Sequence, residues 1–185
     1  YLAKTAQFPD SFRGEHVKQW ELSYGTAVLS RLPLSDCRNC CTRIFHAHSS
    51  KGFVVCSLDW PGEPGGEVNV VSVHLDFSRK SVRQEQVETV VARLTKREKP
   101  LLVMGDFNCE WAGKDRSLRM LAEKLEFSAY KPTAKGLETF PKLKKRLDWI
   151  LISPELEFVR YKTLADKLSD HRGVVAVLRL TDSKN

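Results

Sequence analysis

The sequence predicts an α/β fold in which sheets are covered on their outside by helices. Three observations carry that prediction. Apolar, strand-like runs dominate the 185 residues. Two segments of helical period interrupt them, at 79–98 and 117–126. Four of the apolar runs carry a short polar cluster fused to one end, as a layered fold does when it presents polar groups at the rim of its sheets.

The elements follow in chain order. The stretch up to Trp20 is mixed, broken by Phe8-Pro9 and Arg13-Gly14, and reads as a short helix followed by a loop. Gly25 to Leu32 (GTAVLSRL) is apolar and β-leaning, and Pro33 ends it. Thr42 to His48 and Gly52 to Trp60 read as two further strands. The run PGEPGG after Trp60 is a strong turn signal, so 52–60 and 67–75 are expected to form a hairpin. From Arg79 to Glu98 the period changes. Val82, Val87, Val90, Val91 and Leu94 share one helical stripe, Ser78 or Ser81 offers a cap, and Pro100 stops the helix. Leu101 to Gly105 is a continuous apolar run, hence a strand buried on both faces. Ser117 to Glu126 returns to helical spacing through Leu118, Leu121, Ala122 and Leu125, with Asp115 as the N-cap. Residues 128–147 read as loops around a short strand. Trp149 to Ile152 and Gly173 to Leu180 are the last two strands.

Composition sets bounds. A chain of this length is most simply one domain, residues 1–185. Hydrophobic content of 42% supports a core, and charged content of 29% argues against disorder. No apolar run approaches the ~18 residues of a membrane span, and no secretory leader is visible. The chain opens on Tyr1 and is expected to be a processed or partial one. A formal charge of +7 suits phosphorylated or polyanionic partners, DNA or RNA among them. The same excess is also ordinary solubility chemistry. A monomer is expected.

Five cysteines, an odd number, do not describe a closed disulfide framework, so a reducing, cytoplasmic compartment is expected. Cys56 and Cys109 lie in or beside apolar runs and read as small core residues. Cys37, Cys40, His46 and His48 invite a zinc reading. The gap from cysteine to histidine is shorter than in finger motifs, and Cys40 and Cys41 point opposite ways if extended, so ordinary placement is the better reading.

The polar clusters carry the chemistry. His74 closes VNVVSVHL, and Gly105-Asp106-Phe107-Asn108 closes LLVMGDFN. Asp148 opens RLDWILIS, and Ser169-Asp170-His171 opens SDHRGVVAVLRL. If the first two strands run antiparallel to the last two, all four clusters meet at one rim. Asp106 and Asn108, two apart in an extended segment, would leave the same face and could hold a hard cation and steer a water. Gly105 would let backbone approach a ligand; a plain turn is the competing reading. Asp170 and His171 offer a metal ligand or base beside a phosphate clamp, against a surface loop. Asp148 suits a carboxylate that orients the His171 ring, against a salt bridge to Arg146. His74 taken alone is more often structural, and Asp76 would share its side if the strand continues. Lys142, Lys144, Lys145 and Arg146 form a basic run that would embrace phosphates or simply face solvent.

Taken together, GTAVLSRLPL, VSVHLDF, VMGDFN, RLDWILIS and SDHRGVVAVL, in this order, resemble the endonuclease/exonuclease/phosphatase superfamily, the DNase I-like fold. The resemblance implies a four-layer αββα sandwich of two packed mixed sheets flanked by helices. It implies hydrolysis of a P–O bond with Mg²⁺ or Mn²⁺. On this basis Asp106 and Asn108 would bind or orient water and phosphate, and Asp106 and Asp170 would hold metal. His171, oriented by Asp148, would act as base, and His74 would donate to a phosphate oxygen. Lys144 and Lys145 would join His74, Asn108 and His171 in holding the substrate phosphate. The expected activity is a Mg²⁺-dependent phosphodiesterase or nuclease acting on nucleic acid. The alternatives are a phosphatase or phospholipase-type member acting on lipid or nucleotide phosphates, and a non-catalytic phosphate-binding member. The family's metal-binding Glu, and the Asn ending its first strand, have no counterpart here. The chain is therefore expected to be a C-terminal portion of the family fold that lacks the N-terminal strands.

Overall fold

The computed structural model describes residues 2–19, 22–41, 51–61, 66–166 and 168–181. Its centre is a six-stranded mixed sheet. The strands are β3 (Ser35–Cys41), β4 (Gly52–Asp59), β5 (Glu67–His74), β6 (Leu101–Asp106), β7 (Ser128–Ala129) and β8 (Asp148–Ile152), in the order β3-β4-β5-β6-β8-β7. β5 and β6 are parallel, as the intervening helix α2 (Lys80–Leu94) requires of a crossover, and β8 runs antiparallel to β6. Before the sheet come a short helix, α1 (Leu2–Thr5), and a hairpin of β1 (Asp10–Gln19) and β2 (Leu22–Ser30). After it comes a hairpin of β9 (Leu156–Thr163) and β10 (Val174–Leu180).

Alternation along the strands sorts the core into two layers. One face of the sheet, with Phe53, Val71, Val73, Leu101, Val103 and Leu151, packs on Val87, Val90 and Leu94 of α2 and on Leu118, Leu121 and Leu125 of α3 (Ser117–Leu125). The other face packs on the two hairpins. Val54, Cys56 and Val70 meet Val28 and Phe12 of the first, while Val68, Ile150 and Ile152 meet Leu156, Phe158 and Leu178 of the second. Leu102 and Met104 of β6 touch both groups and stay partly buried. The architecture is thus α/β, with helices on the central sheet and a second β layer behind it.

Several expectations need correction. The stretch expected to be a loop before Trp20 is β1, paired along its length with β2. β3 (SDCRNCC) lacks any apolar alternation and takes its strand form from pairing with β4. β9 was missed; it is held by a ladder to β10 with a register shift between Val177 and Leu178. The strand expected over 42–48 lies outside the described residues, as do His46, His48 and residues 62–65 of the expected turn, although β4 and β5 pair as foreseen from Phe53–Val73 to Asp59–Glu67. No serine side chain caps α2. Asp76 Oδ1 instead accepts from the N–H groups of Ser78 (2.9 Å) and Arg79 (2.7 Å). Asp76 is buried in that role, past the end of β5 and not beside His74. Asp115 does serve the start of α3, accepting from Ser117 N–H at 2.9 Å.

Cys56 is a core residue, but not a free one. It is bonded to Cys37 in a disulfide across β3 and β4, at the irregularity between Ser35 and Arg38. That removes Cys37 from the less favoured zinc set. A disulfide is also the opposite of what a reducing compartment favours. Only the strand register brings the two sulfurs together, and residue spacing does not encode it. No helix among the described residues is long and apolar enough to cross a membrane.

Candidate active site

Three of the expected residues stand side by side at one rim because of register. His74 ends β5 opposite Asp106, which ends β6, and Asp106 stands opposite Asp148, which opens β8. Gly105 permits this. Its φ is +144°, and a Cβ there would meet the Val73 carbonyl oxygen at 1.9 Å. The close approach that glycine allows is therefore to the neighbouring strand, not to a ligand.

Asp106 and Asn108 do not lie in one extended segment. The strand ends at Asp106, and Asn108 has φ 52°. The Asn108 N–H donates to Asp106 Oδ1 at 2.8 Å, an Asx turn that Asp and Asn both favour. The Asn108 amide then donates through Nδ2 to the Leu75 carbonyl at 3.1 Å. Both side chains still line the same cleft.

His171 arrives from the loop before β10. Its N–H donates to Ser169 Oγ at 2.9 Å, and its Nδ1 lies 2.7 Å from Asp148 Oδ2. Asp148 is itself pinned. Thr139 Oγ1, fully buried, accepts from the N–H groups of Leu147 and Asp148, each at 3.0 Å. The Phe140 ring backs the imidazole at 4.9 Å. The competing partner, Arg146, turns away. It donates to the Tyr130 carbonyl at 3.0 Å and lies 3.9 Å from the Trp149 ring.

Electrostatics separates the groups. Burial pushes the Asp106 carboxyl above the ordinary carboxylate range, and the facing Asp148 adds to this, against the Asn108 N–H and both histidines. Burial and the Lys51 ammonium lower His74, outweighing Asp106. Burial also works to lower His171, but the hydrogen bond and charge of Asp148, with Asp106 and Asp170, raise it overall. Tyr24, whose hydroxyl hydrogen-bonds the His74 ring, is pushed up to about 12 by burial and by Asp106. It therefore keeps its proton at neutral pH.

His74, Asp106, Asn108, Lys145, Asp148, Asp170 and His171 line one cleft of about 760 Å³. Among the described residues, one set of three side chains could share a metal ion: Asp106, Asp148 and His171, with ligand atoms within 4.8 Å of one another. Asp170 is exposed and stands outside that set. Lys145 reaches toward Glu110 at 4.0 Å, and Lys144, at φ 52°, is exposed and does not line the cleft. Four residues were not foreseen: Tyr24, Lys51, Thr139 and Phe140. Lys51 is 5% exposed and donates to the Leu75 carbonyl at 2.8 Å, the same oxygen that Asn108 uses. A lysine just ahead of an apolar strand was the available signal.

Comparisons agree with the fold. A sequence profile described as Endonuclease/Exonuclease/phosphatase family matches residues 11–171. A search of curated proteins finds no match. Among solved structures, an endonuclease/exonuclease/phosphatase from Beutenbergia cavernae aligns at TM-score 0.79 and 20% identity, over 97% of this chain and 55% of that one. The human Nocturnin catalytic domain with bound sulfate aligns at 0.78 and 16%, over 97% and 75%. A Bacteroides thetaiotaomicron mannosyl-6-phosphatase aligns at 0.67 and 15%, over 92% and 77%. At these identities the likeness is one of fold.

Proposed function

Because the chain belongs to the endonuclease/exonuclease/phosphatase family, we propose that it hydrolyses a phosphoester bond at the His74–Asp106–Asp148–His171 rim with a divalent cation. The observation that carries this reading is the contact of His171 Nδ1 with Asp148 Oδ2, 2.7 Å, one strand away from the partly buried Asp106.

With Nδ1–H donated to Asp148, His171 keeps a lone pair on Nε2. That nitrogen takes the proton of a water attacking phosphorus, and Asp148 stabilises the imidazolium that forms. Tyr24 donates to His74 Nδ1, so His74 carries its proton on Nε2, the nitrogen 3.6 Å from Asp106 Oδ2. It donates to a phosphoryl oxygen as charge builds there. The Asn108 amide, fixed through Leu75, orients the phosphate or the water.

The donor set fits a hard cation. Asp106 and Asp148 are oxygen ligands facing each other, and the charge of Asp148 makes Asp106 costlier to ionise. Asp106 and Asp148, the two carboxylates of the clustered set, would hold Mg²⁺ or Mn²⁺. The ion would polarise the phosphoryl oxygen and neutralise developing charge.

The net charge of +7 and the run of lysines at 142, 144 and 145 favour a polyanionic substrate. Nucleic acid satisfies that, and so does an anionic lipid surface. The test is turnover of a chromogenic phosphodiester with Mg²⁺ or Mn²⁺. His171→Ala and Asp106→Ala should each lose at least ~10²-fold in kcat. Binding of a phosphorylated ligand without turnover at any metal concentration would instead support a non-catalytic member.

A further inference from the structure

Seven large apolar side chains are exposed among the described residues, and they fall into two groups. Leu29, Val159, Val175 and Val177 stand on strands of the two hairpins. The other three, Phe77 (74% exposed), Leu143 (57%) and Leu168 (94%), are not on strands and come from three different segments around the cleft. Phe77 follows His74, Leu143 ends a 3₁₀ turn at Pro141–Leu143, and Leu168 immediately precedes Ser169-Asp170-His171. Phe77 and Leu143 line the cleft itself. Leu143 also lies between two exposed lysines, Lys142 and Lys144, with Lys145 next in line.

We propose that this mouth is a membrane-surface docking site, and that the phosphoester reaching the cleft is carried on an anionic phospholipid bilayer. Protruding apolar tips are costly in water and are satisfied below the headgroup level of a bilayer, while the lysines on both sides of Leu143 meet anionic headgroups. Apolar side chains grouped at one mouth mark an interaction surface, in contrast to single apolar residues scattered over a protein. Single-stranded nucleic acid fits this mouth less well. It is held on aromatic faces, and only one of the three protruding side chains has one. The catalytic half of the proposal rests on the phosphoesterase reading; the docking half does not.

The experiment separates the two halves. Flotation with vesicles of phosphatidylcholine alone, or with phosphatidylglycerol added, is run in chelator, so that binding needs no turnover. The chain should float with the anionic vesicles, and Leu143→Asp/Leu168→Asp should weaken this at least ~10-fold. With metal, the ratio of turnover on a vesicle-borne phosphoester to turnover on a small soluble one should fall by a similar factor in that variant. Failure of the wild type to bind anionic vesicles overturns the proposal. So does an unchanged turnover ratio, or a variant that loses a single-stranded oligonucleotide while its vesicle binding is unchanged. Vesicle binding without turnover of any ester supports the docking surface and sinks only the hydrolase reading.

Discussion

His74 and His171 enter the same cleft from two regions of the molecule, one closing a strand of the central sheet and the other in the loop before β10. Their side chains are similarly exposed, 33% and 27%, so exposure does not distinguish them. Their neighbours do. His74 hydrogen-bonds the Tyr24 hydroxyl and sits near the Lys51 ammonium, and burial and that charge lower its pKa, favouring the neutral ring. His171 gives a hydrogen bond to Asp148, whose charge outweighs burial and favours the imidazolium. When both rings are neutral, one Nε2 carries a hydrogen and the other a lone pair. The contrast teaches that a single second-position partner on the ring decides whether a histidine donates or accepts a proton.

The largest expected effect breaks the contrast at its active end. His171→Ala should lower kcat at least ~10²-fold, while His74→Ala should cost nearer ~10-fold, both read on the same chromogenic ester. Equal losses would erase the distinction between base and donor. Next comes Asp148→Asn, which keeps shape and removes charge. A decline of at least ~10-fold in kcat is expected, together with a shifted pH profile. A base must be neutral, so the rate climbs as pH rises through the raised His171 value. Without Asp148 that value drops, and the acid limb should move to lower pH. An unmoved limb would remove His171 from the titration. The same linkage bears on stability. The His171–Asp148 pair supports the fold fully below the ordinary histidine value and loses that support as pH rises through the raised one.

Smaller effects sharpen the other side. Tyr24→Phe should cost only a few-fold in rate (roughly 3–10-fold for one lost hydrogen bond) and leave the acid limb where it is. A shifted limb would mean that His74, not His171, is the titrating base. Smallest is a thermal shift. Mg²⁺ or Mn²⁺ should raise the melting temperature by a few degrees, as expected of a ligand that binds only the folded chain. Asp106→Asn should abolish that rise. A rise retained in Asp106→Asn would move the ion elsewhere.

Much of the sheet was legible because its pattern is local. β5, β6 and β8 are apolar runs, and α2 and α3 show the helical period over two to four turns. β1, β3 and β9 were not legible for a common reason. Gly14 and His16 interrupt β1, β3 lacks apolar alternation, and a shift after Val177 breaks the regular pairing of β9 with β10, so long-range pairing decides all three. The site divides the same way. His74, Asp106, Asp148 and His171 each stand at or just before the end of a readable strand, so topology alone could gather them. Thr139 and Tyr24 act through groups distant in sequence, which no spacing reveals. Asp170 and Lys144 were readable as residue types, yet backbone direction leaves both of them exposed.

The pairing of Asp106 with Asp148 across β6 and β8 also ties catalysis to assembly. Both carboxylates sit on the last rung of a ladder that runs from Leu102–Ile152 to Asp106–Asp148. A slip of one residue would turn one of them toward the opposite face. Hydrolysis can therefore serve as an assay of correct strand alignment: a misthreaded or partly zipped chain that keeps its helices should be silent toward substrate.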